Sequence, residues 1–279
     1  MDLEQSGLNE IIRLALAEDR VEADVTTSAL LAFDGPARAV VRAKADGVIS
    51  GTAAFAKTMH AVDPGLRISV DKTDGDPVVA GDRVLQIAGR ESSILKAERT
   101  ALNFLQRLSG VATLTREFVE KLRPFPTVLL DTRKTTPGMR YLEKKAVRDG
   151  GGTNHRLNLE DMAMVKDNHI EMAGGIAAAV VAVRLACPGK KIEVEVKNMA
   201  EFRQALDLGV EWIMLDNFPH DQAALAVAMS RGRCKLEISG NVTRENIAEK
   251  AATGVDFISV GALTHSFRSL DLSLEIVRS

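Results

Sequence analysis

Hydrophobic positions along the chain change their period near residue 108. Between Ser6 and Glu18, the residues Leu8, Ile11, Ile12, Ala15 and Leu16 recur three and four apart, which predicts an amphipathic helix with Ser6 as its cap. Short β-like pieces follow at Ala37–Ala43, Gly47–Gly51, Leu66–Val70 and Val84–Ile87. Turn sequences such as Asp63-Pro64-Gly65 and Asp74-Gly75-Asp76-Pro77 punctuate them. A small α+β module is expected from this half, and Glu91–Ser109 reads as a long helix joining it to the remainder.

Beyond Leu108, β-branched runs alternate with longer helical stretches. Strands are expected at Val128–Leu130, Ala163–Val165, Ile192–Val196, Trp212–Leu215, Leu236–Ile238 and Phe257–Val260. Helices are expected at Ala173–Ala186, Met199–Leu208, His220–Met229 and Arg244–Ala252, with a shorter one around Leu142–Val147. This alternation predicts a parallel sheet, either closed as a barrel or open and doubly wound; the clear strands fall short of the eight of a complete barrel. The domains are therefore placed at 1–108 and 109–279.

Composition narrows the function classes. Of 279 residues, 46% are hydrophobic and 27% charged, as in a globular protein with a core, and the net charge of -2 gives no general attraction to nucleic acid or to an anionic membrane. Cys187 and Cys234 are too few for a disulfide framework, lack metal-ligand spacing and read as structural. No apolar run reaches the roughly 18 residues of a spanning helix, and the acidic opening Met1–Glu10 is unlike a secretory leader. A cytoplasmic protein without nucleic-acid or membrane partners is expected.

Parallel α/β folds place their sites beyond the C-terminal ends of the strands. There the chain carries Asp131-Thr132-Arg133-Lys134-Thr135-Thr136-Pro137-Gly138, Lys166-Asp167-Asn168-His169, Asp216-Asn217, Ser239-Gly240 and Gly261. Within Ile192–Val196, alternation sets Glu193 and Glu195 on the face opposite Ile192, Val194 and Val196. A carboxylate such as Glu195 aimed into a sheet interior is costly unless paired or metal-bound. Arg133, Lys134, Arg140, Lys144, Lys145, Arg148, His155, Arg156, Lys166 and His169 all fall between residues 133 and 169. On a chain of net charge -2 this is a local pocket for a small polyanion. For Lys144, Lys145 and Arg148, a salt-bridged helix face beside Glu143 and Asp149 is the simpler reading. Gly150-Gly151-Gly152 is too short a signal to stand alone, and the P-loop, dinucleotide and nucleophile-elbow patterns are absent.

One ordered set of blocks is more specific. Glu98-Arg99-Thr100-Ala101-Leu102-Asn103-Phe104-Leu105-Gln106, the Asp131–Gly138 stretch, Asn154-His155-Arg156 and Lys166-Asp167-Asn168-His169-Ile170 occur in turn. Glu193-Val194-Glu195-Val196, Met214-Leu215-Asp216-Asn217 and Gly261-Ala262-Leu263-Thr264-His265-Ser266 follow. With Glu18-Asp19 and Asp24-Val25-Thr26-Thr27 near the start, this run resembles the quinolinate phosphoribosyltransferases, the carboxylating nicotinate-nucleotide pyrophosphorylases, over nearly the whole chain. The resemblance implies an N-terminal α/β sandwich-like module, an irregular and incomplete α/β barrel, and a C-terminal tail packed back on the first domain. It also implies a homodimer, or an assembly of dimers, with shared sites into which Arg99 of each copy reaches.

Further implications of the resemblance concern the site. Arg133, His155 and Arg156 would surround the two carboxylates of quinolinate, and Lys134 and Lys166 would contact quinolinate or phosphoribosyl pyrophosphate. Glu195 and Asp216 would bind ribose hydroxyls and Mg²⁺, while Ser239, Gly240 and Gly261 would hold the 5′-phosphate. Lys134, Lys166, Glu195 and Asp216 are the expected catalytic group. Where many relatives carry a Gly-Gly pair after the serine, this chain has Ser239-Gly240-Asn241. Other readings compete: a paralogue of the same fold with another acceptor, such as the molybdenum-transport-associated relative, a nicotinate phosphoribosyltransferase, or a catalytically silent anion-binding protein. The pairing of Arg133 and Arg156 favours a dicarboxylate.

Overall fold

The computed structural model describes residues 3–277. In chain order, α1 (Leu3–Glu18), α2 (Val25–Ala29), β1 (Pro36–Ala43), β2 (Gly47–Val48), α3 (Thr52–Val62), β3 (Arg67–Val70), β4 (Pro77–Val78) and β5 (Arg83–Arg90) lead into α4 (Glu91–Leu122). Then come β6 (Val128–Leu130), α5 (Arg140–Asp149), β7 (Ala163–Val165), α6 (Asp167–Ala173), α7 (Ile176–Ala186), β8 (Ile192–Val196) and α8 (Met199–Asp207). The chain closes with β9 (Trp212–Asp216), α9 (His220–Ser230), β10 (Lys235–Ser239), α10 (Ile247–Ala251), β11 (Phe257–Ser259), α11 (Ala262–His265) and β12 (Leu272–Val277).

Two compact units emerge. The first gathers the chain up to Arg116, Thr135–Gly151 and the chain from Leu263 on; the second comprises Glu117–Lys134 and Gly152–Ala262. The first unit is built on an antiparallel sheet in the order β12-β1-β5-β3, with the small ladder β2-β4 beside it. Its core joins Val41, Leu85 and Ile87 of the sheet to Phe55 and Met59 of α3 and to Ile94, Leu102 and Leu105 of α4. β12 pairs with β1 from Arg38↔Val277 to Ala43↔Leu272, so the end of the chain supplies a strand of the first sheet.

Several elements differ from the sequence reading. α1 begins at Leu3, so Ser6 lies within the helix instead of capping it. α4 continues past Ser109 to Leu122. Gly110 does not end the helix; it lets the chain at Arg268 cross, because a Cβ there would stand 2.2 Å from the Arg268 carbonyl oxygen. The helix expected from Ala173 to Ala186 starts only at Ile176, and a separate helix, α6, ends at Ala173, since Gly174 and Gly175 take φ values of 79° and 147° and break the turn. α3 and β12 have no counterpart in the pattern reading.

The second unit holds a six-stranded parallel sheet in the order β6-β11-β10-β9-β8-β7. β6 and β7 do not pair, which leaves one seam open: the incomplete barrel expected from the resemblance. One face is continuous apolar surface, with Val194, Val196, Ile213, Leu215, Leu236 and Ile238 all buried. The other face is the polar one. The register sets Glu195 beside Met214, Met214 beside Glu237, and Asp216 beside Ser239. No single helix among the described residues is long and apolar enough to cross a membrane.

Candidate active site

The polar face and the loops beyond its strands enclose a cavity of about 390 Å³ in the second unit. Its walls include Asp131, Arg133, Lys134, His155, Arg156 and Met164, and then Lys166, Glu195, Asp216, Glu237, Ser239 and Ser259. Most of the residues proposed for the site from sequence thus share one cavity. Gly240 directly follows Ser239, and Gly261 follows β11.

Each wall has its own support. Lys166 ends β7 and places Nζ 2.6 Å from Glu195 Oε2, so the inward carboxylate on β8 is paired. Asp131, fully buried at the end of β6, accepts the His155 N–H at 2.8 Å and the Asn154 side-chain amide at 2.7 Å. This fixes the segment carrying His155 and Arg156 to the strand. The Arg156 guanidinium donates to the Met162 carbonyl at 3.0 Å. Burial and the neighbouring Arg133 cation both lower its pKa.

Beneath this wall lie three buried groups. His155 Nε2 is 3.1 Å from Glu193 Oε2 and 3.4 Å from Glu237 Oε2, and Nδ1 accepts the Arg156 main-chain N–H at 2.7 Å. Burial pushes the Glu193 carboxyl up to about 7. On the ring, burial opposes protonation, but the two carboxylates outweigh it and raise the pKa to about 9. A doubly protonated ring would set Nδ1–H against the Arg156 N–H, so the contacts seen are those of a neutral ring with its proton on Nε2. Ligand atoms of the three lie within 4.8 Å of one another. A metal on Nε2 would need Nδ1 to donate, whereas here it accepts, so the cluster does not suit an ion.

The phosphate-loop candidate has a strained, defined backbone. Gly240 has φ 89°, and a Cβ there would meet the Asn217 side chain at 2.2 Å. Asn217 and Asn241 both take left-handed φ, at 55° and 48°, and the Asn241 amide donates to Asn217 Oδ1 at 2.9 Å.

Family models match both halves of the chain: "Quinolinate phosphoribosyl transferase, N-terminal domain" over residues 24–109 and "C-terminal domain" over 111–275. The chain belongs to the quinolinate phosphoribosyltransferase family. A probable carboxylating nicotinate-nucleotide pyrophosphorylase of Synechocystis sp. is 46% identical over 95% of the chain and 90% of its own length. One from Bacillus subtilis is 38% identical over 98% of the chain and 94% of its own length. The solved structure of the nicotinate-nucleotide pyrophosphorylase from Francisella tularensis superposes with a TM-score of 0.94 at 41% identity, covering 98% of this chain and 96% of that one.

Within this member of the quinolinate phosphoribosyltransferase family, not every predicted residue meets in the cavity. Arg99 belongs to the first unit and is exposed on α4, where it lines a separate hollow with Glu18, Asp19, Asn103 and Thr136. Lys145 is on α5 of the first unit and pairs with Asp149 at 2.7 Å and Asp74 at 2.6 Å, a salt-bridged helix face. Lys144, by contrast, is almost fully buried. Glu237 and Asp131 carry no role in the sequence reading. The signal for Glu237 is a charged residue between Leu236 and Ile238 in a buried parallel strand, where only the inner face can receive it.

Proposed function

We propose that this chain transfers the phosphoribosyl group of phosphoribosyl pyrophosphate to quinolinate and decarboxylates the product, giving nicotinate mononucleotide, pyrophosphate and CO₂ for NAD biosynthesis. The observation that carries the reading is the single cavity in which Arg133, Arg156, Lys134 and Lys166 face Glu195 and Asp216. Paired guanidiniums read two adjacent carboxylates through charge-assisted hydrogen bonds. A monoacid would leave one of these cations without a partner.

The chemistry follows from where charge appears. The pyridine nitrogen forms its bond to C1 of the ribose as the C1–oxygen bond to pyrophosphate breaks, and positive charge builds on the sugar. Glu195 and Asp216, on neighbouring strands, favour that carbon and hold the ribose hydroxyls. Lys134 and Lys166 orient the anionic reactants and stabilise negative charge on the leaving oxygens. Ser239, Gly240 and Gly261 offer the loop for the 5′-phosphate, and left-handed Asn241 keeps the loop turn that a glycine gives elsewhere. Next the bond from C2 to its carboxylate breaks; the electron pair is held beside the pyridinium nitrogen, and C2 takes up a proton.

The oxygen donors of Glu195 and Asp216 suit Mg²⁺, which binds through one or two carboxylates together with substrate phosphates. When bound, Mg²⁺ would supply charge neutralisation at the departing pyrophosphate. The same reading makes the active form a homodimer in the cytoplasm, with Arg99 of each copy completing the other's site.

Turnover with quinolinate, phosphoribosyl pyrophosphate and Mg²⁺ tests the reading, with nicotinate as a parallel acceptor and a chelator control. Mononucleotide and CO₂ from quinolinate alone are expected. In a folded Lys134→Ala protein the rate should fall by about 100-fold or more, as when a charge-stabilising donor is removed. Turnover of nicotinate but not quinolinate would move the function to a paralogue.

A further inference from the structure

From the end of β9 to the turn after β10 runs a chain of side-chain hydrogen bonds that starts at a site carboxylate. Asn217 Nδ2 donates to Asp216 Oδ1 at 3.1 Å. An ionised carboxylate only accepts, so the Asn217 amide must turn its nitrogen toward Asp216 and its oxygen toward the turn. That oxygen accepts from Asn241 Nδ2 at 2.9 Å. The Asn217 main-chain N–H donates to the Ser239 carbonyl, also at 2.9 Å, so one residue ties both strand ends together. Gly240 leaves the room for it: φ is 89°, and a Cβ there would stand 2.2 Å from Asn217 Oδ1. Asn241 is itself held. Its carbonyl accepts from Asn246 Nδ2 at 2.9 Å, and Asn246 Oδ1 accepts the Thr243 N–H at 2.8 Å. A glycine at 241 would supply the left-handed φ of 48° equally well, but no donor for Asn217.

We propose that Asn217 is a positioning residue: it sets Asp216 against the ribose hydroxyls and the Ser239–Asn241 turn against the 5′-phosphate of the same ligand, and the Asn241 amide closes the link between them. The inference rests on the phosphoribosyl reading above. Neither asparagine touches the ligand in this role. Phosphate seated in the turn and ribose held by Asp216 support one another through the link. Cutting the link at either asparagine loosens the same spacing, so the two losses overlap instead of adding.

Glycine substitutions isolate the side chains, because glycine keeps the left-handed φ of both positions, 55° at Asn217 and 48° at Asn241. Asn241→Gly removes only the donor, and Asn217→Gly removes both side-chain contacts. The double variant completes the cycle. Calorimetric titration with phosphoribosyl pyrophosphate, in Mg²⁺ buffer and without an acceptor, reads affinity with no turnover. KM values for phosphoribosyl pyrophosphate and for quinolinate are measured on the same proteins. Thermal melts verify that each variant folds.

Asn241→Gly should weaken phosphoribosyl pyrophosphate binding by about 3- to 10-fold and Asn217→Gly by about 5- to 30-fold, the worth of one and of two hydrogen bonds. The double variant should match Asn217→Gly within about twofold, since residues that act through one link do not add. KM for phosphoribosyl pyrophosphate should rise in step, while KM for quinolinate stays within about twofold of the unaltered chain. A double variant weaker than Asn217→Gly by more than about twofold would show that Asn241 meets the phosphate on its own, and would overturn the proposal. Unchanged binding by Asn241→Gly would overturn it too, as would equal rises in both KM values, the sign of a merely structural turn. If Asn217→Gly fails to fold, the Asn241→Gly affinity and its KM split still decide. An unaltered chain that binds no phosphoribosyl pyrophosphate would overturn the phosphoribosyl reading and this inference with it; binding that is equal in all variants would overturn this inference alone.

Discussion

Replacing Arg107 tests how the first unit holds the segment that follows the Arg133-Lys134 turn. Glu143, on α5, is 0% exposed, and its Oε1 accepts from Arg107 Nη2 at 2.6 Å and Nε at 3.2 Å. Its other oxygen accepts the Thr136 N–H at 3.0 Å. Arg107 also bonds the Thr136 hydroxyl and lies over the Phe267 ring at 4.8 Å. Arg107→Ala leaves a buried carboxylate without its cation, a loss of about 3–5 kcal/mol, to which the ring contact adds about 0.5–1 kcal/mol. A total of about 3.5–6 kcal/mol is expected. Glu143→Gln should cost less, about 1–2 kcal/mol, because the amide still accepts from Thr136 and Arg107, 32% exposed, can turn to water. Urea unfolding followed at Tyr141 reports the first unit and at Trp212 the second, each the only residue of its kind. The Tyr141 midpoint should fall steeply in Arg107→Ala and modestly in Glu143→Gln. A cost below about 1 kcal/mol for Arg107→Ala, or a larger cost for Glu143→Gln, would refute the reasoning.

Gly110→Ala should destabilise by about 1–3 kcal/mol or more, although alanine is the better helix former, because the new methyl meets the Arg268 main chain; a raised melting temperature would contradict the crossing described. Asp34 is held below the usual carboxylate range first by the Ser92 main-chain N–H, then by the Ser92 hydroxyl and Arg90, and so caps the start of α4. A depressed folded pKa gives stability that is full above the unfolded value near 3.9 and lost as pH falls through the folded one. The cost of Asp34→Ala, about 1–2 kcal/mol at pH 7, should therefore shrink toward pH 2, and urea midpoints across that range test it. Inactive Arg99→Ala and Lys166→Ala subunits, mixed as verified heterodimers, should regain part of the activity; none regained would count against shared sites.

How much of this was legible depends on the range of each interaction. The strands β6, β7 and β8 are short apolar or alternating runs set between polar and turn residues, and their bounds follow from the pattern. The residues beyond the strand ends were legible for the same reason, since topology alone delivers them to one rim. Gly110 misled because a glycine within a helix reads locally as a stop, whereas its cause is a chain segment more than a hundred residues away. β12 escaped likewise: it finds its partner in β1, near the opposite end of the sequence. The cluster under the pocket joins a loop residue, His155, to two non-adjacent strands, β8 and β10, and no local window holds His155, Glu193 and Glu237 together.

The most direct test of the central claim uses quinolinate labelled in its C2 carboxylate. With phosphoribosyl pyrophosphate present, labelled CO₂, pyrophosphate and nicotinate mononucleotide should appear in equal amounts, and omission of phosphoribosyl pyrophosphate should abolish CO₂ release. Transfer without decarboxylation, or no release under either condition by the folded protein, would contradict the account.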